Sequence, residues 1–371
     1  MGRTDDLVVL FGGESSERKV SVASAQHLAA LLPQARCWFW AIDGTVHDVK
    51  RDVLLKHERP FEREFSPSTR ASFPTVEAAF DALGKSAVVF LALHGIGGED
   101  GLVQSWLEAR KLAFTGSSAA ASRCAFDKVA AKRAVGKLGV RTPQAHVVSG
   151  KALARAEATV RDMWQQHGRA VVKPVADGSS HGVVVVEDET SFRAAVDGLR
   201  ESPAAPHLVE EFVSGREITV GIYDSPKGAV ALPASEVVLD RGRRFDYEGK
   251  YLGQGTREVT PADLSPETRR ACEEVGLKAH TGVGCLGYSR TDMIVNERGL
   301  FFLEINNLPG LTRASFIPQQ LKVARISMAD FVARQIALAR SRYDSPARGK
   351  GKPKGRSKSP RKASRARAAE Y

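Results

Sequence analysis

The sequence has few cysteines and no long apolar run, and each shortage excludes a class of protein. The four cysteines among 371 residues form no C-x-x-C pair and have no histidine nearby at zinc-ligand spacing, which argues against a disulfide framework or a zinc site. No segment approaches the roughly 18 consecutive apolar residues of a membrane span. The first residues, MGRTDDLVVLFGG, contain no apolar signal region. We expect a cytoplasmic protein with no membrane partner.

Two common nucleotide-binding motifs are also missing. The sequence contains no G-x-x-x-x-G-K-[ST], and its glycine-rich turn GGESSERKVS lacks G-x-G-x-x-G. Any nucleotide is therefore held without a Walker loop. Glu17 in that turn would repel a phosphate at the helix start, so it favours a cationic partner. The alternative for Glu17 is a helix N-terminal carboxylate that the helix dipole stabilises.

The basic charge of the chain is confined to its last residues. The net charge is +11, but Arg340 to Tyr371 hold 12 Lys and Arg against 2 Asp and Glu, which leaves about +1 for residues 1 to 339. This segment is rich in Gly, Ser and Pro, and ARGKGKPKGRSKSPRKASRAR has no aliphatic side chain larger than Ala, so it cannot bury enough apolar surface to fold. Residues 341–371 are predicted to be a disordered basic tail that binds polyanions weakly.

The rest of the chain has the alternating pattern of an α/β protein. Residues 7 to 11 (LVVLF) and 87 to 93 (AVVFLAL) are each followed by a glycine-rich turn and a helical pattern, which indicates βα units of a parallel sheet. Ligands of such sheets bind beyond the carboxyl ends of the strands, where Glu17 and the loop from His94 to Gly101 would lie. His94 could equally be a structural histidine, and GEDG only a helix start. Later, AVVKPVADGSSHGVVVV predicts a strand, a flexible loop and a second strand.

A carboxylate interrupts an apolar strand in GLFFLEINNLPGL. Glu304 and Asn306 share one face of that strand because side chains alternate, and a carboxylate on a half-buried face needs a cation or strong donors. Asp292 of the preceding strand falls on the same face if the hairpin loop has an odd length, and on the opposite face if the length is even. Two carboxylates and an amide oxygen are hard ligands that suit Mg²⁺ or Mn²⁺. The alternative is a polar face that merely solubilises an edge hairpin.

Two further stretches carry groups that suit a nucleotide. Lys173 ends a strand and precedes a loop whose amides could cradle phosphates, with Ser179 and Ser180 as further donors. An ordinary flexible hairpin is the alternative there. In LVEEFVSGRE, Glu217 is suited to accept two ribose hydroxyl hydrogen bonds, and backbone groups from Glu210 to Val213 could contact a base edge.

Taken in order, eight motifs resemble those of D-alanine:D-alanine ligases of the ATP-grasp superfamily, over roughly residues 7 to 338. They are GGESSERKVS, LHGIGGEDG, DKVAAK, VVKPVADGSSHG, LVEEFVSGRE, FDYEGKY, GYSRTD and EINNLPGLT. The resemblance implies a three-domain α/β ATP-grasp fold, in which two antiparallel-sheet domains clasp ATP beside an N-terminal parallel-sheet domain. The implied segments are 1–117 for the N-terminal substrate domain, 118–209 for the central ATP-grasp domain and 210–340 for the C-terminal catalytic domain.

The resemblance also implies the reaction and its participants. A cytoplasmic homodimer would use ATP and two Mg²⁺ or Mn²⁺ ions to make D-alanyl-D-alanine through an acyl phosphate, for peptidoglycan precursor synthesis. The residues implied for ATP are Lys128, Lys173, Ser180, Glu210, Glu211, Phe212, Val213, Glu217 and Lys250. Those implied for the metals are Asp292, Glu304 and Asn306, and those for the two D-alanines are Glu17, His94, Ser315 and Phe316. The implied catalytic residues are Glu17, Ser179, Tyr251, Arg290 and Gly310, with Arg290 and the Gly310 amide facing the oxyanion.

The departures from the family pattern are few. His181 stands where a small aliphatic residue is usual and Asn307 where Thr is commoner, which puts loop contacts in doubt rather than the reaction. The nearest rival functions are D-alanyl:D-lactate and D-alanyl:D-serine ligation, although Tyr251 in EGKY resembles the dipeptide type. A rival of another class is a catalytically dead, nucleotide-responsive protein that binds nucleic acid through its tail. The intact set of acids, lysines and arginine argues against that rival.

Overall fold

Three β-sheets follow one another in the part of the chain that the structure describes. The computed structural model describes residues 7–178, 181–239 and 256–344. The first sheet is largely parallel and the other two are antiparallel, which confirms the predicted α/β architecture. All four cysteines are free. Among the described residues, no helix combines the length and the apolar character needed to cross a membrane.

The first sheet has the strand order β3-β2-β1-β4-β5, and only β3 runs antiparallel to its neighbour. Its elements are β1 (Leu7–Gly12), α1 (Arg18–Leu31), β2 (Arg36–Trp40), β3 (Val46–Val49), α2 (Arg51–Leu55), α3 (Val76–Asp81), β4 (Val88–Leu91), α4 (Leu102–Ala109) and β5 (Ala113–Phe114). Every residue of β1 is buried, as expected for a central parallel strand covered on both faces. Gly12 has φ +97°, and a Cβ there would lie 2.4 Å from the Trp40 carbonyl oxygen. The turn that leads to Glu17 therefore requires glycine.

The second sheet has the order β6-β9-β7-β8, and every neighbouring pair is antiparallel. Its elements are β6 (Ala145–Ser149), α7 (Leu153–His167), β7 (Ala170–Pro174), β8 (Val184–Val186), α8 (Glu189–Glu201) and β9 (Pro206–Glu211). Val160, Phe192 and Leu199 form its small core with the strands. The predicted strand, loop and strand around Lys173 is confirmed as the β7–β8 hairpin.

The third sheet has the order β13-β12-β10-β14-β15, with β11 paired to β10. Its strands are β10 (Arg216–Ser225), β11 (Gly228–Ala231), β12 (Ser235–Leu239), β13 (Thr256–Val259), β14 (Tyr288–Asn296) and β15 (Gly299–Asn306). The later helices are α9 (Pro266–Val283), α10 (Phe316–Val323) and α11 (Met328–Asp344), and α5 (Ala119–Phe126) and α6 (Lys128–Gly136) precede the second sheet.

Three of the predicted segment boundaries differ from the packing. Helices α5 and α6 pack against α9 and β15 rather than the second sheet, because Ala131 and Val135 share a core with Val283 and Phe302. The boundary between residues 209 and 210 falls inside β9. Helix α11 passes the predicted tail start at 341 and continues to Asp344, with its buried residues in the core of the first sheet. The three-domain division stays a proposal with these shifts, and the predicted disorder of residues 345–371 lies outside the described residues.

Candidate active site

The β14–β15 hairpin decides where the predicted metal ligands point. Its turn holds two residues, since Asn296 pairs with Gly299, and an even loop alone would place Asp292 on the face opposite Glu304. A register shift between Asp292 and Met293, whose partners are Glu304 and Phe302, inserts Leu303 as an extra residue. The bulge brings Asp292 directly opposite Glu304, so both carboxylates share one face. Arg290 and Asn306 form the next directly opposed pair.

Cations already compensate both carboxylates. Arg290 donates to the two oxygens of Asp292, at 2.9 Å from Nε and 2.7 Å from Nη2, and Thr219 Oγ1 donates to Asp292 Oδ1 at 2.5 Å. Lys128 Nζ lies 3.4 Å from Glu304 Oε2 and donates to the Asp177 carbonyl oxygen at 2.7 Å. A fork-shaped guanidinium pair of this kind fixes the carboxylate plane. The hairpin face is therefore a balanced polar site and not a solubilising edge.

The donor atoms on this face fit a hard divalent cation. Asp292 and Glu304 supply carboxylate oxygens, and Asn306 supplies an amide oxygen that also accepts from the Leu308 N–H at 3.0 Å. Oxygen-only sets of this kind suit Mg²⁺ or Mn²⁺ that also binds phosphates. Within the described ranges no group of three or more His, Cys, Asp or Glu side chains is arranged to hold a metal. A metal here would thus depend on two acids, one amide and oxygens from a ligand.

A cleft of about 1030 Å³ lies between the second and third sheets. This volume is at the upper end of the range for small-molecule sites, roughly 300 to 1000 Å³. The predicted ATP and metal residues that line it are Lys128, Lys173, Glu210, Glu211, Phe212, Val213, Glu217, Asp292 and Glu304. Residues separated by up to 176 positions in the sequence, such as Lys128 and Glu304, therefore meet around one space large enough for a nucleotide.

A buried charge cluster forms one wall of the cleft. Glu210 is 2% exposed, and its Oε1 and Oε2 each lie 2.8 Å from a lysine Nζ, that of Lys132 and that of Lys173 respectively. Burial lowers the pKa of Lys132 to about 8, although Glu210 acts in the opposite direction. Burial also opposes ionisation of Glu210, but the two lysines outweigh it and hold the pKa of that carboxyl below its usual value. Lys132 and Glu210 are therefore both charged at neutral pH.

The residues after Glu210 are held by contacts from both flanking segments. The Glu211 carboxylate accepts from the Gln144 N–H at 3.1 Å and from Arg298 at 2.8 and 2.9 Å. Burial raises the pKa of Glu211, but these donors outweigh it and the net shift is downward. The guanidinium carbon of Arg169 lies 3.9 Å from the centre of the Phe212 ring. The segment predicted to contact the base is thus rigidly placed.

Glu17 reaches the same region from the first sheet. It precedes α1 and makes no side-chain cap hydrogen bond there, so its carboxylate does not serve as a cap for the first turn. A cavity of about 50 Å³ joins Glu17 to Lys128, Arg290, Glu304 and Asn306. A Cβ at Gly178 would lie 2.5 Å from Glu17 Oε2 and one at Gly95 would lie 2.8 Å from it, so both glycines let neighbouring loops approach the carboxylate.

His94 contacts a residue that lines this cavity. Its Nδ1 lies 3.5 Å from Glu99 Oε1, and Glu99 lines the cavity. Its Nε2 lies 3.2 Å from Ser24 Oγ, which in turn accepts from the Leu311 N–H at 3.3 Å. His94 therefore connects the first sheet to the turn after β15. Sequence reasoning missed Glu99 because GEDG also fits a helix start, and Asp100 does accept from the Leu102 N–H at 3.0 Å, where α4 begins.

The turn after β15 places the last predicted residues together. A Cβ at Gly310 would lie 2.7 Å from Ser315 Oγ, so a side chain there would displace the Ser315 hydroxyl. Ser315 Oγ lies 2.8 Å from Thr312 Oγ1, and Phe316 begins α10. The guanidinium carbon of Arg290 lies 5.7 Å from the centre of the Phe316 ring. A helix N-terminus suits an anion, and Arg290 lies beside the first residue of α10.

Four of the predicted site residues, Ser179, Ser180, Lys250 and Tyr251, lie outside the described residues. Next to the first two, His181 contacts Ser16 through Nε2 and Oγ at 3.3 Å, which gives the unusual histidine a partner at the N-terminal turn. Sequence reasoning also missed Lys132. Its signal was the spacing of four residues from Lys128 in DKVAAK, which places both lysines on one helix face.

Comparisons with known proteins relate both halves of the chain to one family. The family model "D-ala D-ala ligase N-terminus" matches residues 6–117, and "D-ala D-ala ligase C-terminus" matches residues 137–337. The chain is 35% identical over 330 residues to a D-alanine--D-alanine ligase of Rhodospirillum rubrum, with 88% of this chain and 95% of that protein covered. It is 34% identical over 340 residues to one of Rhizobium meliloti, with the same two coverages.

Solved structures show the same fold. The D-alanine-D-alanine ligase of Coxiella burnetii superposes with a TM-score of 0.72 at 23% identity, covering 91% of this chain and 94% of that one. A D-Ala:D-Ser ligase of Enterococcus faecalis superposes with a TM-score of 0.73 at 23% identity, covering 91% of this chain and 100% of that one. The overall fold is thus shared with both.

Proposed function

The chain belongs to the D-alanine–D-alanine ligase family, and on that premise we propose that it joins two D-alanines with ATP to give D-alanyl-D-alanine, ADP and phosphate. The family models match both halves of the chain, and its relatives cover 88% of it at 34 to 35% identity. The observation that carries the proposal is the meeting of Glu17, Arg290, Glu304 and Asn306 around one small cavity beside the cleft. Phosphoryl transfer requires positioning and charge neutralisation more than covalent help from the protein, and this site supplies both.

The lysines and acids of the cleft would hold the nucleotide. Lys128 and Lys173 are buried cations that line it and would offset phosphate charge, while Glu217 would bind the ribose. Asp292, Glu304 and Asn306 would hold Mg²⁺ or Mn²⁺, with two ions as our proposal. Bound metal would neutralise the transferring phosphoryl group. Lys250 and Ser180 are proposed to add to the phosphate contacts.

The cavity and the α10 turn would position the two amino acids. Glu17 would take the ammonium of the first D-alanine, with His94 holding Glu99 beside it. The carboxylate of that D-alanine accepts the γ-phosphoryl group, and ADP is released from the bond that breaks. The amine of the second D-alanine, whose carboxylate Ser315 and the Phe316 N–H would hold, then attacks the carbonyl carbon and expels phosphate. Arg290 and the Gly310 amide would stabilise the oxyanion, and Tyr251 and Ser179 would close the site around Glu17.

We expect purified protein to release phosphate from ATP only when D-alanine and Mg²⁺ are both present. The dipeptide and phosphate should form in equal amounts, because one acyl phosphate is consumed for each peptide bond. Parallel assays with D-serine or D-lactate beside D-alanine measure whether the second site accepts another nucleophile. Turnover without Mg²⁺, or no phosphate release that depends on D-alanine, would contradict the proposal. A higher kcat/KM with D-serine or D-lactate would reassign the second substrate.

The basic tail is proposed to be separate from ligation. Helix α11 ends at Asp344, and residues 345 to 371 contain 10 Lys and Arg, whose only sizeable attraction for a polyanion is counterion release. Truncation after Asp344 should leave kcat and the D-alanine constants unchanged and abolish low-salt DNA binding. If half of these cations contact phosphates, log K for the full chain should fall with log salt with a slope of about −4.5. DNA binding that survives truncation would place the polyanion site on the folded part, and loss of ligation would show that the tail acts on the enzyme. A cytoplasmic homodimer is likewise our proposal, and sedimentation would check its oligomeric state.

A further inference from the structure

Helix α6 directs two lysines, one turn apart, at two different sheets. Asp127 Oδ1 accepts from the Val129 and Ala130 N–H groups, each at 2.9 Å, and so fixes the start of the helix before Lys128. Lys128 pairs with Glu304 of β15, while Lys132 pairs with Glu210 of β9. Lys128 lines the nucleotide cleft directly. Lys132, at 8% exposure, lies behind Glu210.

The contacts of Glu210 show what Lys132 adds. One carboxylate oxygen faces Lys132 and the other faces Lys173, with both N–O distances 2.8 Å. Lys173 ends in the cleft wall, where it would meet phosphate. If Glu210 had Lys173 as its only cationic partner, the two would form a neutral pair, and Lys173 would attract an anion less strongly. With Lys132 on the second oxygen, the three groups carry a net charge of +1.

We propose that Lys132 is a positioning residue for the nucleotide phosphates, which binds one oxygen of Glu210 and thereby keeps Lys173 available to phosphate. This inference rests on the proposed function, because it takes the cleft as the ATP site. Lys132 itself does not touch the nucleotide. It acts through Glu210, so its effect should depend on the phosphates and on that carboxylate.

The charged groups around Lys132 set the expected pH dependence. They are Glu210 from β9, Lys173 from β7 and Glu304 from β15, with Lys128 one turn away on α6. Burial lowers the pKa of Lys132 to about 8, with Glu210 opposing the shift. Lys132 is therefore charged below pH 8, and phosphate affinity should decrease as pH rises through that value. An arginine at this position would keep its charge.

Calorimetric titration with ADP and with adenosine, both in Mg²⁺ buffer, tests the proposal. Lys132→Met should weaken ADP binding at least tenfold and adenosine binding less than threefold, whereas Lys132→Arg should recover most of the ADP affinity. Lys137→Met is the matched control, because Lys137 is an exposed lysine at the end of the same helix, and it should bind ADP as the wild type does. In a Glu210→Gln background, Lys132→Met should weaken ADP less than threefold, because no carboxylate remains for Lys132 to hold.

Each other outcome contradicts the inference. Unchanged ADP affinity in Lys132→Met would remove Lys132 from phosphate binding, and equal losses for ADP and adenosine would indicate a structural role only. A tenfold loss in the Glu210→Gln background would show that Lys132 does not act through Glu210. A further test uses the wild-type protein alone. An ADP affinity that stays constant from pH 7 to about 9.5 would also contradict the inference. Wild-type protein that binds ADP but makes no dipeptide would overturn the proposed function instead, so the two failures are distinguishable.

Discussion

Replacement of Arg290 by alanine should lower kcat for dipeptide formation roughly a hundred- to a thousandfold. This decrease corresponds to a loss of about 3 to 4 kcal/mol of transition-state stabilisation. Negative charge develops on the carbonyl oxygen when the second amine attacks, and a cation placed there stabilises the transition state more than the ground state. Arg290 lines the cavity with Glu17 and Glu304 and is held rigidly by the Asp292 carboxylate. The effect should therefore fall on kcat more than on the affinity for either D-alanine.

Two further variants separate this role from simple loss of an arginine. Arg110→Ala removes a guanidinium that pairs with Asp81 on the surface, at 2.7 Å, and should leave kcat unchanged. Arg290→Lys keeps the charge but loses the fork on Asp292, so it should recover only part of the rate. Steady-state kinetics with a thermal unfolding measurement on each variant would show whether the fold is retained. A kcat for Arg290→Ala within threefold of wild type would exclude Arg290 from the mechanism.

The sequence predicted the sheets well because their signals are local. Apolar runs such as LVVLF end in glycine turns, and these turns end the strands. Gly12 is required because a Cβ at that position would clash with the Trp40 carbonyl oxygen. The face shared by Glu304 and Asn306 also followed from alternation within one strand. These inferences needed no knowledge of distant partners.

The relation of Asp292 to Glu304 could not be settled from the sequence. The two-residue turn predicts opposite faces, and only the bulge at Leu303 restores the shared face. A bulge is a response to packing and ligand geometry rather than to a local motif, so the hairpin sequence left both outcomes open.

Contacts between distant segments were the other limit. Lys132 and Glu210 are 78 positions apart in the sequence and become partners only in the folded protein. The packing of α6 has the same origin, because Ala131 and Val135 pack with Phe302 of the third sheet. Periodicity shows that a helix has an apolar face but not which sheet receives it.

Replacement of Glu304 by glutamine should weaken Mg²⁺ by about a hundredfold while preserving the fold. Mutation of a residue that only supports a metal ligand typically lowers metal affinity about 10- to 100-fold. Glu304 would be a ligand itself and would supply one of the two carboxylates on the hairpin face, so we expect a loss at the upper end of that range. The side chain is 37% exposed and its lysine partner keeps the Asp177 carbonyl contact, so the loss of one charge should affect stability little. The Mg²⁺ concentration for half-maximal ligation should rise accordingly, and kcat at saturating D-alanine should fall.

A direct measurement of metal binding distinguishes loss of a metal ligand at Glu304 from other causes of reduced activity. Titration of Mn²⁺ by electron paramagnetic resonance, in the presence of ADP, should show weaker binding to Glu304→Gln than to wild type. Glu297→Gln is the matched control, since Glu297 is an exposed glutamate in the turn of the same hairpin, and it should bind Mn²⁺ normally. If Glu304→Gln lost activity with unchanged Mn²⁺ affinity, Glu304 would act through Lys128 on the phosphates instead. The shared face of Asp292 and Glu304 would then serve to arrange cations rather than to hold a metal.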